Sequence, residues 1–246
     1  MSDPLAEARR LLARAARPVV LCGAGLSAEA GLPTFRGEEG LWQAFRPEEL
    51  ATPQAFQRRP EVVWAWYRWR MERLAAVSPH AGHRALARWC AGRTGRLFNQ
   101  NVDGLLEQVW EELGLDPQRL LALHGSLRRS HCERCGGSVP SDRLPPEALP
   151  LCGCGGRLRP SVVWFGEALQ ARHLRALEEE ARLADLVLAV GTSAQVWPAA
   201  GLLDALRRRG RPVLVLNPDP GAAQPGDMHL SLPAADGLPR LLEVTC

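Results

Sequence analysis

Lysine is absent: all 30 basic residues of this 246-residue chain are arginine. The bias fits a skewed genome or a hot environment, and it leaves the chain without a side-chain amine. A marked excess of one charge is lacking too. Thirty basic against 27 acidic residues give a formal charge of +3, whereas nucleic-acid binding usually shows as a concentrated basic face. No run reaches the roughly 18 uninterrupted apolar residues of a membrane span. The first 17 residues scatter Asp3, Glu7 and four arginines through an alanine and leucine pattern, which is not the basic start and apolar stretch of a secretion signal. A soluble, cytoplasmic protein is the expectation, with no nucleic-acid or membrane partner. Fixed-period repeats and low-complexity tails are missing, and Tyr67 is the only tyrosine.

What is present is a chain long enough for one large α/β domain with insertions. Short apolar runs at 19–22, 97–98, 120–123, 186–190, 213–216 and 228–232 alternate with helix-period segments at 4–16, 83–90, 104–113, 171–183 and 199–209. This rhythm predicts a Rossmann-like, doubly wound parallel sheet covered on both faces. Two stretches break it and read as inserted modules. Residues 37–79 are tryptophan-rich with a helical period, and 128–160 are rich in Cys, Gly and Pro and read as irregular. The expected division is 1–36, 80–127 and 161–246 for the Rossmann-like domain, with 37–79 and 128–160 forming a smaller helical and metal-binding domain.

Four of the seven cysteines fall between 132 and 154, while Cys22, Cys90 and Cys246 lie far apart. That is a metal cluster rather than a disulfide scaffold. Cys132-x-x-Cys135 and Cys152-x-Cys154 supply four thiolates, enough to close a tetrahedral zinc site and make the ion structural. The second pair is tighter than C-x-x-C, and Gly153, Gly155 and Gly156 give the backbone freedom to turn there. Free buried thiols are the alternative, and iron is an imperfect substitute for zinc.

Directly after the first strand comes Gly23-Ala24-Gly25-Leu-Ser27, continuing to Gly31-Leu-Pro33-Thr-Phe35-Arg36-Gly37. Glycines at a strand-to-helix turn let the backbone approach a pyrophosphate, although a tight packing turn would use the same residues. Further polar segments follow other strands: Asn99-Gln100-Asn101-Val-Asp103-Gly104, His124-Gly125 and Gly191-Thr192-Ser193. Open α/β sheets bind ligands at such strand ends. A fourth segment is Arg159-Pro160-Ser-Val162-Val163-Trp164-Phe165-Gly166-Glu167.

In order and spacing these segments resemble the sirtuin family over nearly the whole chain, with its GAGxS loop, QNxDxLH segment, HG pair, four-cysteine module and GTS loop. Asn99 departs from the usual threonine, and Leu106 from the frequent histidine. The resemblance implies an NAD-dependent protein-lysine deacylase that consumes NAD, transfers the acyl group to ADP-ribose and carries one structural zinc. It makes His124 the general base, a role that suits an imidazole with an ordinary pKa near 6.5. It puts Gly23, Ala24, Gly25, Ser27, Phe35, Arg36, Gln100, Asn101, Asp103, Gly191, Thr192, Ser193 and Asn217 along NAD. Loop capping is the bland alternative for Asn101 and Asp103. Val162, Val163, Phe165, Gly166 and Glu167 match the segment that takes an acylated protein substrate as an extended added strand.

Tyr67-x-x-Arg70 resembles the pair that marks class III sirtuins and favours acidic acyl groups. Its i, i+3 spacing puts phenol and guanidinium on one helix face, where they could bind a succinyl or malonyl carboxylate better than acetyl. The alternative is a helix of packing aromatics with Arg70 solvated. Two other functions stay open. A zinc-ribbon nucleic-acid binder needs a basic surface that Glu133, Asp142 and Glu147 dilute, and an NAD sensor or ADP-ribosyltransferase could use the same scaffold.

Overall fold

The computed structural model describes residues 3–35, 40–145 and 149–242. The strands are β1 (Pro18–Cys22), β2 (Leu97–Asn99), β3 (Leu120–Ala122), β4 (Gly125–Cys132), β5 (Ser138–Pro140), β6 (Leu158–Val162), β7 (Leu186–Val190), β8 (Val213–Leu216) and β9 (Met228–Leu230). The helices are α1 (Pro4–Arg14), α2 (Leu41–Ala44), α3 (Pro47–Leu50), α4 (Pro53–Arg58), α5 (Pro60–Ala75), α6 (Ala81–Ala91), α7 (Leu105–Glu112), α8 (Ala171–Leu183), α9 (Ala200–Arg208) and α10 (Ala234–Leu242).

Six strands form one parallel sheet in the order β3-β2-β1-β7-β8-β9. Its central strands are buried along their whole length, and strand alternation sorts their side chains between two layers. Val20, Cys22, Leu186, Leu188, Val190, Leu214 and Leu216 pack against α1, α6, α7 and α10. Val19, Leu21, Val187, Ala189, Val213 and Val215 pack against α8 and α9. This is the doubly wound Rossmann arrangement. The order reverses between β1 and β7, which opens a crevice at their carboxyl ends.

A third core joins both inserted stretches: Phe56, Trp64, Trp66 and Tyr67 pack with Leu127, Cys132, Leu158 and Trp164. Within it, 128–160 is more regular than expected. β4 pairs antiparallel with β5 on one side and β6 on the other, with an irregularity in the β4–β6 ladder between Ser126 and Ser130. Cysteine knuckles rather than the usual hairpin residues join these strands, so the sequence carries little turn signal. α10 also goes beyond the sequence reading, because Gly237 and Pro239 argue against a helix. Burial of Leu238, Leu241 and Leu242 outweighs that propensity.

Candidate functional site

At the switch point the ends of β1 and β7 touch. Gly25 N–H donates to the Gly191 carbonyl at 2.8 Å. Gly191 has φ +54°, and a Cβ there would lie 2.4 Å from the Gly25 carbonyl carbon, so only glycine fits. Two short 3-10 turns, Ala24–Leu26 and Ala28–Ala30, follow β1, where the sequence suggested a helix start. Arg36 lies outside the described residues.

The turn after β2 lies beside this point. Gln100 Nε2 donates to the Cys22 carbonyl at 3.1 Å and to Thr192 Oγ1 at 3.0 Å. Asn217, after β8, donates from Nδ2 to the Thr192 carbonyl at 3.2 Å. Asn101 Nδ2 donates to Ser27 Oγ at 3.2 Å. Asp103 accepts Leu105 N–H at 2.8 Å and so starts α7. Burial pushes the Asp103 carboxyl up, opposed by the Leu105 N–H, the Ser27 hydroxyl and the Arg70 and Arg128 charges.

His124 follows β3, with Nδ1 2.9 Å from the Gln100 carbonyl. A carbonyl only accepts, so Nδ1 carries the proton and the Nε2 lone pair stays available. Burial pulls the pKa of His124 below its ordinary value, opposed by the Gln100 carbonyl. The ring is therefore neutral at neutral pH. Gly125 has φ +79°, and a Cβ there would meet Ser161 O at 2.0 Å. We expect Gly125→Ala to lower Tm by about 5–15 °C; a melt matching wild type would show that β4 and β6 yield at this point.

Two imidazoles escaped the sequence reading. His80 N–H donates to His83 Nδ1 at 3.3 Å, which leaves His83 Nε2–H to donate to Ser27 Oγ, also at 3.3 Å. Burial takes His83 down to about 3. The signal was there, as His80-x-x-His83 precedes an amphipathic run and caps α6 at both residues.

A small cavity opens between this turn and α5, lined by Ala24, Ser27, Phe35, Arg70, Asn101 and Asp103 among others. The Arg70 guanidinium lies 4.8 Å from the Phe35 ring, 4.9 Å from Trp66 and 5.6 Å from Tyr67. Among the described residues it has no hydrogen-bond or ion-pair partner. Tyr67 is not among the lining residues. Its buried phenol accepts from Trp164 Nε1 at 2.8 Å, and burial pushes it up to about 12.

The segment after β6 runs beside His124, whose carbonyl accepts Val163 N–H at 2.9 Å. Phe165 is 45% exposed. Glu167 is turned inward. It binds Arg159 through both oxygens, at 2.6 and 2.9 Å, and accepts Trp164 N–H at 2.8 Å. Burial alone would raise Glu167, but these donors hold it below the usual carboxylate range.

The Sγ atoms of Cys132, Cys135, Cys152 and Cys154 all lie within 4.8 Å of one another, with 3.5 Å between Cys132 and Cys154 and 3.7 Å between Cys135 and Cys152. Zn–S bonds of about 2.3 Å at tetrahedral angles require S···S separations of about 3.8 Å. The donor set therefore fits zinc. N–H donors from Cys135 and Arg134 lower the Cys132 thiol below its ordinary value, which favours the thiolate a metal needs.

The Sir2 family model matches residues 23–198. An NAD-dependent protein deacylase 2 from Pyrobaculum aerophilum is 44% identical over 236 residues, covering 95% of this chain and 92% of the relative. A solved Sir2 homologue with ADP-ribose superposes with a TM-score of 0.87 at 40% identity, covering 98% of this chain and 95% of that one. A Sir2 homologue–NAD complex gives 0.85 at 40% identity, covering 96% and 92%.

Proposed function

The chain belongs to the Sir2 family, and from that premise we propose how its site works and which acyl groups it prefers. It is an NAD-dependent protein deacylase with NAD as co-substrate and a structural zinc. In our reading NAD lies across the carboxyl ends of β1 and β7. Gly23, Ala24, Gly25, Ser27, Gln100, Gly191, Thr192 and Ser193 follow its phosphates and inner ribose, and Asn217 its adenosine ribose. Phe35 shields the reacting ribose from water, and Arg36 is assigned to the phosphates or the cofactor loop. Bound NAD supplies an electrophilic ribose carbon as nicotinamide leaves.

The residues of the chain do the rest. Asn101 and Asp103 hold the nicotinamide end. His124 takes a ribose hydroxyl proton at Nε2, the nitrogen that its Nδ1 contact leaves exposed. Val162, Val163, Phe165 and Gly166 pair with the acyl-lysine peptide through backbone hydrogen bonds, and Glu167 shapes that segment through Arg159. We take 1–36, 80–127 and 161–246 as the NAD-binding domain and 37–79 with 128–160 as the small domain, a division that the third core supports. Cysteines used as metal ligands and not as disulfides are the pattern more usual in a cytosolic enzyme, which supports work in the cytoplasm.

For the acyl group, Arg70 is the observation that carries our reading. A guanidinium walled by aromatic rings, facing a cavity and unpaired among the described residues, is suited to a ligand carboxylate held by two parallel bonds. The Tyr67 phenol accepts from Trp164 and lies outside the cavity lining, so it supports Arg70 through their 5.6 Å ring contact instead of meeting the ligand. Succinyl- and malonyl-lysine are then preferred, and acetyl-lysine is also accepted. A hydrogen-bonded charge contributes about 1.5–3 kcal/mol. Arg70→Met should therefore lower kcat/KM on a succinyl-lysine peptide about 10- to 100-fold and leave the acetyl peptide within about threefold. A wild type that prefers acetyl, with Arg70→Met unchanged, would make Arg70 a packing residue.

A further inference from the structure

Asn99 ends β2 and is fully buried. Its Nδ2 donates to both oxygens of Glu107, at 3.0 and 3.2 Å, and its Oδ1 accepts Asn101 N–H at 3.1 Å. An amide offers donor and acceptor together, so this one side chain ties the first turn of α7 to the turn that precedes it. The backbone around Asn99 is tied to the site as well. Its carbonyl accepts Leu123 N–H at 2.8 Å, one residue before His124. The next carbonyl, of Gln100, orients the His124 ring, and Asn101 reaches Ser27.

Glu107 has no ion pair among the described residues. Arg128 is nearby, but its Nε donates to the Asp103 carbonyl. Nothing in the deacylation chemistry uses Glu107, yet its half-buried carboxylate is held against the Asn99 amide and its own backbone N–H.

We propose that Glu107 is a positioning residue for NAD cleavage: by gripping the Asn99 amide it holds the 99–103 turn that presents Asn101 and the carbonyl orienting His124. This rests on the roles assigned above to Asn101 and His124. Burial raises Glu107 to about 7, while the Asn99 donor and Arg128 lower it and Asp103 adds to the rise. The Cys22 thiol on β1 also faces it. Protonation removes one of the two acceptor oxygens, so the grip weakens as pH falls through about 7.

The test uses the full chain, measuring kcat and KM for NAD from pH 6 to 9 and amide hydrogen exchange at residue 101. The variants are Glu107→Ala, Glu107→Gln, Asn99→Thr and the double variant Asn99→Thr/Glu107→Ala. Glu107→Ala should lower kcat/KM for NAD about tenfold, mostly through kcat, and speed exchange at residue 101. Glu107→Gln, a fixed neutral form that keeps the shape should the alanine variant fold poorly, should lose the limb near pH 7. In the Asn99→Thr background, removing Glu107 should change kcat/KM by less than about twofold, because the partner it grips is gone. Equal losses in both backgrounds with unchanged exchange at residue 101 would overturn the proposal, as would a limb near pH 7, above the one His124 gives on the acid side of 6.5, that survives in Glu107→Gln. Asn101→Ala separates the two levels. Full NAD turnover in that variant means that the assigned role of Asn101 fails, while exchange at residue 101 still decides whether Glu107 grips the turn.

Discussion

His124→Ala is expected to lower kcat for NAD-dependent deacylation by about 10²- to 10⁴-fold, the range for losing a positioned general base, while NAD binding persists. The geometry makes the loss specific to proton transfer. The ring is held from behind by the Gln100 carbonyl, and the groups assigned to NAD phosphates and adenosine lie on other loops. The sign of the pH effect follows from burial. His124 sits below its ordinary value near 6.5, and the base form exists above its own pKa. His124 should therefore contribute a loss of activity on the acid side of 6.5 as the imidazole takes up a proton, below the step near pH 7 assigned to Glu107. Kinetics on one acyl-lysine peptide, with calorimetry of NAD binding, would check both parts. A His124→Ala enzyme within about threefold of wild type would end the base assignment.

Removing the metal should have a comparably large effect by another route. Purified protein is expected to hold one zinc per chain, and both a strong chelator and Cys132→Ser should abolish activity and lower Tm. Small zinc modules gain on the order of 10 kcal/mol of folding free energy from the ion. Here Cys132 ends β4, the strand that starts one residue after His124, and Cys132 pairs with Leu158 on the strand that leads to Val162. Without the metal the β4–β6 ladder should fray from its cysteine end toward His124 and the peptide-binding segment. Zinc content by metal analysis, followed by a melt and an assay, gives the answer. Metal-free protein with wild-type melting and turnover would show that the ladder stands alone.

Much of this was legible in the residues. The parallel sheet was readable mainly from its central strands β1, β7 and β8, which are buried on both faces and appear as short apolar runs, while β3 and β9 at the edges are only partly buried. The cysteines and His124 were readable because few residue types can do their chemistry. The antiparallel sheet was not, since its turns are cysteine knuckles with no ordinary hairpin signal. α10 was hidden by Gly237 and Pro239. His83 looked like one more histidine until α6 brought it to Ser27. The Tyr67-x-x-Arg70 spacing correctly placed both residues on one helix, but spacing cannot say that Trp164, nearly a hundred residues on, takes the phenol while the guanidinium turns to the cavity.

The sequence by itself determined the fold class, the metal donor set and the residue types of the chemistry, because hydrophobic period and ligand chemistry are local properties. Tertiary structure decided which nitrogen of His124 is available, that Arg70 rather than Tyr67 lines the cavity, that Glu167 faces inward and that Asn99 is paired with Glu107. Each of these depends on a partner distant in sequence or on a side-chain direction. Burial then sets protonation, because the cost of charge depends on what packs around a group.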